Sequence, residues 1–180
     1  SICVMGRKLI NEELNRLSIN DFKKSSKVPV IVVLDNIRSL SNIGSVFRTA
    51  DAFRVEALYL CGITAQPPHR EIHKTALSAT ESVDWIYFKD TEEAVIKLKQ
   101  NEYQILSIEQ VDNSILLNDF IPDNEAKYAL IFGNEVKGVD NKIIQISDNC
   151  IEIPQWGTKH SLNISVSVGI ILWDIVLKLK

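Results

Sequence analysis

Three cysteines in 180 residues, Cys3, Cys61 and Cys150, are too few and too scattered to staple a fold. An odd number at wide spacing, in a chain whose leucine, isoleucine and valine can fill a core unaided, excludes a disulfide scaffold and points to a reducing cytoplasm. No apolar run reaches the roughly 20 residues that a membrane-spanning helix needs. The longest, Ile164 to Leu177, is broken by Ser165, Ser167 and Asp174. The N-terminus has no charged-then-apolar signal pattern, so no secretion is expected. Positive charge is also scarce, with 20 Lys and Arg against 23 Asp and Glu and a net charge of −3. No global positive field advertises nucleic acid, and any grip on RNA has to come from local basic clusters. There is no internal repeat, no low-complexity segment and no Pro/Gly/Ser-rich linker. With 46% hydrophobic and 24% charged residues, the chain reads as one globular domain with a sizeable core.

Several catalytic signatures are missing as well. Gly133 and Gly138 have the spacing of a phosphate-cradling loop, but Val139-Asp140 stands where that loop needs Lys and Ser or Thr. No G-x-G-x-x-G follows the first strand, which excludes the standard dinucleotide fingerprint. His69, His73 and His160 have no cysteine or carboxylate neighbours at metal-ligand spacing, so no metal is expected. The absence of G-x-S-x-G removes the serine-hydrolase reading.

What is present is an alternation of strand and helix patterns. Val30 to Leu34 is a continuous β-branched run ending at Asp35-Asn36, the mark of a strand buried on both faces and hence of a parallel sheet. Further strands are predicted at Val55–Leu60, Trp85–Phe88, Tyr103–Ile108 and Tyr128–Phe132, and the end of a short one at Ile151–Ile153. A helix is predicted over 42–53, capped by Ser41-Asn42, with Ile43, Val46, Phe47 and Ala50 facing the core and Arg48 off that stripe. His69 to Ala79 reads as a loop and short helix. Thr91 to Gln100 reads as a helix with Thr91 as its cap, acidic residues early and lysines late. Residues 7–27 carry Arg7, Lys8, Arg16, Lys23, Lys24 and Lys27 among apolar residues, fitting a short amphipathic helix and a basic connection. Residues 1–29 thus form an N-terminal basic amphipathic extension ahead of a domain at 30–180. Such alternation implies right-handed crossovers around the sheet and ligands at the carboxyl ends of its strands.

The stretch from Ile151 to Gly169 holds the most pointed chemistry. Pro154 stops the strand before it, Gly157 permits a tight turn, and Ser161, Asn163 and Ser165 place short hydrogen-bonding side chains ahead of a long apolar run. The alternation of Leu162, Ile164, Val166 and Val168 argues a strand, whereas the run through Trp173 and Leu177 to Lys178 and Lys180 argues a buried C-terminal helix; periodicity alone leaves both open.

Three polar loops lie just beyond buried runs. Asn42-Ile-Gly-Ser-Val-Phe-Arg-Thr-Ala-Asp51, then Ile131-Phe-Gly-Asn-Glu-Val-Lys-Gly138, then Ile153-Pro followed by Ser161-Leu-Asn-Ile-Ser-Val166 resemble the three ordered motifs of the SpoU-type RNA ribose methyltransferases of the SPOUT superfamily. The match runs from about residue 30 to the C-terminus. It implies an α/β domain with a parallel sheet whose C-terminal part forms a deep trefoil knot, and a homodimer whose C-terminal helix contributes to the contact. It also implies S-adenosyl-L-methionine held largely by backbone groups, with Gly133, Ile153 and Leu162 at cofactor-contact positions. Asn42, Arg48, Glu135, Ser161 and Asn163 match the active-site positions, and the substrate is tRNA or rRNA.

These residue types suit the reaction. Methyl transfer to a ribose hydroxyl needs placement more than covalent help, and placement is worth roughly 7–11 kcal/mol of the barrier. Arg48 beside a phosphate would steady the charge that develops on the oxygen, a better task for a guanidinium than proton acceptance. Each residue also has a plainer use: Asn42 as a helix cap, Glu135 as a partner for Lys137 or a backbone N–H, Ser161 and Asn163 as caps of the next helix. The rival function is a non-catalytic RNA-binding or ribosome-assembly module on the same fold. A more distant rival is an enzyme using another adenosine-containing cofactor.

Overall fold

The computed structural model describes residues 6–180; Cys3 and the rest of residues 1–5 lie outside the described residues. Seven strands form one parallel sheet: β1 (Val28–Asp35), β2 (Val55–Cys61), β3 (Trp85–Phe88), β4 (Tyr103–Ile108), β5 (Ile115–Leu116), β6 (Lys127–Phe132) and β7 (Asn149–Glu152), in the order β3-β2-β1-β6-β4-β7-β5. The side-chain alternation of β1 divides the interior. Val30, Val32 and Leu34 belong to one core with α2 (Leu40–Phe53) and α7 (Ile164–Lys178). Ile31 and Val33 belong to the other with α5 (Thr91–Gln100) and α6 (Asn141–Ile146). Both faces of the central strand are therefore dry, which is why its sequence is apolar at consecutive positions rather than alternately.

Three sequence expectations shift. The cap of α2 is Ser39, whose hydroxyl accepts from the Asn42 N–H at 3.2 Å, so the helix begins at Leu40 and Asn42 lies inside its first turn. The cap of α5 is Asp90 rather than Thr91. The Thr91 hydroxyl instead donates to the buried Asp35 carboxylate at 2.6 Å, a tertiary bond that spacing could not reveal. The stretch left open between strand and helix is helical from Ile164, with Asn163 as its N-cap. Ile164, Val168, Ile171, Leu172, Ile175 and Val176 are buried in α7, a set at helical spacing that overrides the short alternation at its start.

The described residues before β1 are mostly irregular. They hold a 3-10 turn at Asn11–Leu14 and α1 (Ile19–Lys24), and Leu9, Ile10, Leu14 and Leu17 are exposed rather than laid on a covered face. Phe22 is the anchor, buried in the core shared by α2 and α7. Two short helices, α3 (Arg70–Ala76) and α4 (Ala79–Ser82), fill the connection between β2 and β3. Among the described residues no helix is long and apolar enough to cross a membrane.

Candidate active site

The sheet reverses direction of growth at β1 and β6, and loops from the carboxyl ends of neighbouring strands meet there, as the topology of open α/β sheets requires. The loop after β6 is a tight turn. Asn134 and Gly138 exchange backbone hydrogen bonds at 3.0 and 2.9 Å, and the Asn134 side-chain carbonyl accepts from the N–H groups of Val136 and Lys137 at 2.9 and 3.1 Å. A Cβ on Gly133 would come within 2.1 Å of the Gly138 and Val139 backbone, so glycine there is demanded by closure of the turn itself. Gly138 has φ +70°, and a Cβ on it would meet the Glu109 carboxylate at 2.2 Å.

Glu135 projects from this turn to the start of α2. Its carboxylate accepts from the Arg38 N–H at 3.0 and 3.2 Å and from the Ser39 N–H at 3.0 Å. A negative charge at a helix N-terminus is favoured by unpaired N–H groups and by the helix dipole. Partial burial pushes the Glu135 pKa up, but the N–H groups of Arg38, Ser39 and Glu135 itself, with the Asn42 side chain, outweigh it and hold the carboxyl below its ordinary value. Asn134 adds a second tie, donating through Nδ2 to the Asn36 carbonyl at 2.7 Å.

The loop from β7 to α7 closes the other side. Asn163 Oδ1 accepts from the Ser165 N–H at 2.9 Å and Nδ2 donates to Asn42 Oδ1 at 3.2 Å. Between the two loops lies an open cleft of about 740 Å³. Gly133, Glu135, Ile153, Ser161, Leu162 and Asn163 all line it, so six of the eight residues singled out from sequence share one cavity. Asn42 joins them through Asn163, whereas Arg48 is not brought to the cleft wall. It is exposed on α2, six residues beyond Asn42, or about 9 Å along the helix axis. No ion-pair partner meets it among the described residues.

Two cleft residues escaped the motif reading. Glu109 accepts from the Val139 N–H at 3.0 Å and the Gln110 N–H at 2.9 Å, and Gln110 Nε2 donates to the His160 carbonyl at 2.9 Å. The pair therefore stitches the turn after β6 to the loop after β7, and both residues line the cleft. Their signal is positional: they directly follow Ile108, at the carboxyl end of β4.

The sheet, the cleft and the three loops define an α/β domain whose ligand site is assembled from strand-end loops. Residues 29–173 match the SpoU rRNA Methylase family, and the chain belongs to that family. Among curated relatives, it is 29% identical over 174 residues to a tRNA (guanosine(18)-2'-O)-methyltransferase of Aquifex aeolicus (strain VF5), covering 95% of this chain and 79% of the relative. It is also 29% identical over 164 residues to a 23S rRNA (guanosine-2'-O-)-methyltransferase of Neisseria meningitidis serogroup B, covering 91% of this chain and 64% of that protein. The crystal structure of the A. aeolicus TrmH/SpoU tRNA modifying enzyme superposes with a TM-score of 0.77 at 26% identity, over 89% of this chain and 79% of that one.

Proposed function

We propose that this chain is an RNA methyltransferase that moves the methyl group of S-adenosyl-L-methionine to a ribose 2′-hydroxyl of tRNA or rRNA. The observation that carries the reading is that the second and third motif loops line one cleft and are both tied to the first motif on α2, by Glu135 to the helix start and by Asn163 to Asn42. The lining suits an adenosine-bearing ligand: Ile108, Ile153 and Leu162 offer apolar surface, and the strand-end loops offer backbone donors and acceptors. Gly133, Ile153 and Leu162 would hold the cofactor, which supplies a methyl group already activated on a sulfonium.

The remaining work falls to side chains. Asn42, Ser161 and Asn163 offer short polar groups at the cleft edge for placing the ribose, and Glu135 fixes the turn and the helix start that present them. Placement of this kind accounts for roughly 7–11 kcal/mol in well-oriented reactions. Arg48, exposed and free of carboxylates, is the cation we assign to an RNA phosphate and to the charge developing on the attacking oxygen. The shape of the fold fits a trefoil knot at the C-terminal end: β7 lies between β4 and β5, after which the chain returns to pack α7 on α2. A homodimer fits the outer face of α7, where Val166, Ile170, Trp173 and Leu177 form an exposed apolar stripe. Buried free thiols at Cys61 and Cys150 fit a cytoplasmic setting.

The test is calorimetric titration with S-adenosylhomocysteine together with single-turnover methylation of RNA from cells lacking this gene. Arg48→Ala should keep cofactor affinity and lose roughly a hundredfold to a thousandfold in rate, with Arg48→Lys recovering little because it lacks the planar fork. Absence of cofactor binding by the wild type would overturn the reading. Binding without any transfer would favour the non-catalytic module.

A further inference from the structure

The loop between β7 and α7, which lines the cleft through Gln155 and residues 160–163, carries an unsupported indole just outside that lining. Trp156, in the loop between β7 and α7, is 92% exposed. No aromatic or cation pairing covers it among the described residues. Its loop is nevertheless held at both ends: Pro154 restricts the chain on one side, and on the other the His160 carbonyl accepts from Gln110 at 2.9 Å. A Cβ on Gly157 would find nothing within 4 Å, so the space beside the indole is open. The loop is therefore anchored while its largest side chain stands in water.

The surroundings say what kind of surface belongs there. Arg38, Lys137 and Lys159 are exposed around the mouth, and among the described residues none makes an ion pair. The ion pairs of the described residues, Arg7–Glu13, Lys74–Glu71, Lys99–Asp148 and Lys178–Asp174, involve other cations. Thr158, His160 and Ser161 are polar and exposed in the same loop. A protein partner would call for a cluster of neighbouring apolar residues, whereas the exposed large ones of the two loops besides Trp156 are Val136 and Leu162. Unpaired cations beside one isolated aromatic face are instead the composition that grips a single-stranded backbone while stacking a base.

We propose that Trp156 is a nucleobase-stacking platform, holding an unpaired base of the RNA next to the ribose that enters the cleft. The inference rests on the RNA methyltransferase reading and adds to it a residue that meets the base.

The experiment compares wild type, Trp156→Phe and Trp156→Ala. Fluorescence anisotropy follows a labelled short single-stranded RNA and its duplex, and each protein is also titrated with S-adenosylhomocysteine. Stacking predicts a loss of roughly five- to a hundredfold for Trp156→Ala on the single strand, consistent with the usual contribution of base–aromatic stacking. Trp156→Phe should stay within about threefold of wild type because it keeps a π-face. Duplex binding and cofactor affinity should be the same in all three. Wild-type single-strand affinity in Trp156→Ala, equal losses in both variants, or a lower sedimentation coefficient for Trp156→Ala would each overturn the platform, the last by showing that a second copy covers the indole. Failure of the wild type to bind cofactor would sink the methyltransferase reading alone, since the RNA comparison still decides the role of Trp156.

Discussion

Asn163 donates to Asn42 at 3.2 Å across 121 residues of sequence, while its own carbonyl oxygen caps α7. One side chain thus joins the first and third motifs and starts the C-terminal helix, the capping use through Oδ1 leaving Nδ2 for the tie to Asn42.

The two uses can be separated. Asn163→Ala removes both and should cost about 1 kcal/mol as a lost cap, or roughly 2–4 °C in melting temperature for a chain of this size. Asn163→Asp keeps an acceptor for the Ser165 N–H and loses the donor to Asn42. Its melting temperature should hold while methyl transfer falls about tenfold, as expected for one neutral hydrogen bond. Thermal melts and single-turnover rates check this; wild-type transfer by the aspartate variant would reduce the bond to a capping detail.

Glu135 gives a pH signature. Its folded pKa lies below the ordinary 4.5, so the unfolded chain takes up this proton first as the solution is acidified. The stability contributed is fully present above the ordinary value and disappears as pH falls through the folded one. Glu135→Gln should cost about 1 kcal/mol at neutral pH, charge-assisted bonds being discounted for solvent screening. The gap to wild type should shrink toward pH 3. Urea unfolding at both pH values measures it, and a gap that widens in acid would contradict the assignment.

Glu109 is the support under the turn after β6. Glu109→Ala leaves the Val139 and Gln110 N–H groups without their acceptor, and Gly138→Ala drives a methyl toward the same carboxylate at an unfavourable φ of +70°. Both variants should weaken S-adenosylhomocysteine binding by about tenfold, in the range expected when a charge-assisted hydrogen bond under the turn is lost or displaced. Calorimetry decides it, and unchanged affinity in both would detach this support from the cofactor site.

Trp173 tests the outer face of α7. It is 61% exposed, touching Phe53 edge-on at 6.4 Å. Trp173→Glu places a charge in the middle of the apolar stripe and should convert a dimer to monomers at micromolar concentration with little change in the monomer's fold. Sedimentation velocity reads the outcome directly. A persistent dimer would move the interface elsewhere.

Much of this architecture is legible in the amino-acid sequence. The β-branched run of β1 marks a doubly buried strand, and two of the three polar segments, 133–138 and 154–163, are the loops that line the cleft, because side-chain period and turn chemistry are local properties. The parts that escape are tertiary. Ser39 displaces Asn42 as the cap because Glu135 holds the residues just ahead of α2 from a distant loop. Thr91 surrenders its cap role to Asp90 because Asp35 claims its hydroxyl. The first turn of α7 mimics a strand in period, and only burial against the sheet decides it. β5 has two residues and α6 six, too few for any pattern to emerge. Gly133 suggests room made for a ligand, whereas the backbone it clears is that of its own turn.

The position of β7 bears on how the chain is made. β5 pairs with β7 alone, and one side of β4 pairs with β7. Until the residues after Asp148 leave the ribosome, β4 presents an open row of backbone donors and acceptors, and β5 has no partner. Nascent chains of this protein therefore carry an adhesive sheet edge from the emergence of β4 until β7 follows to seal it.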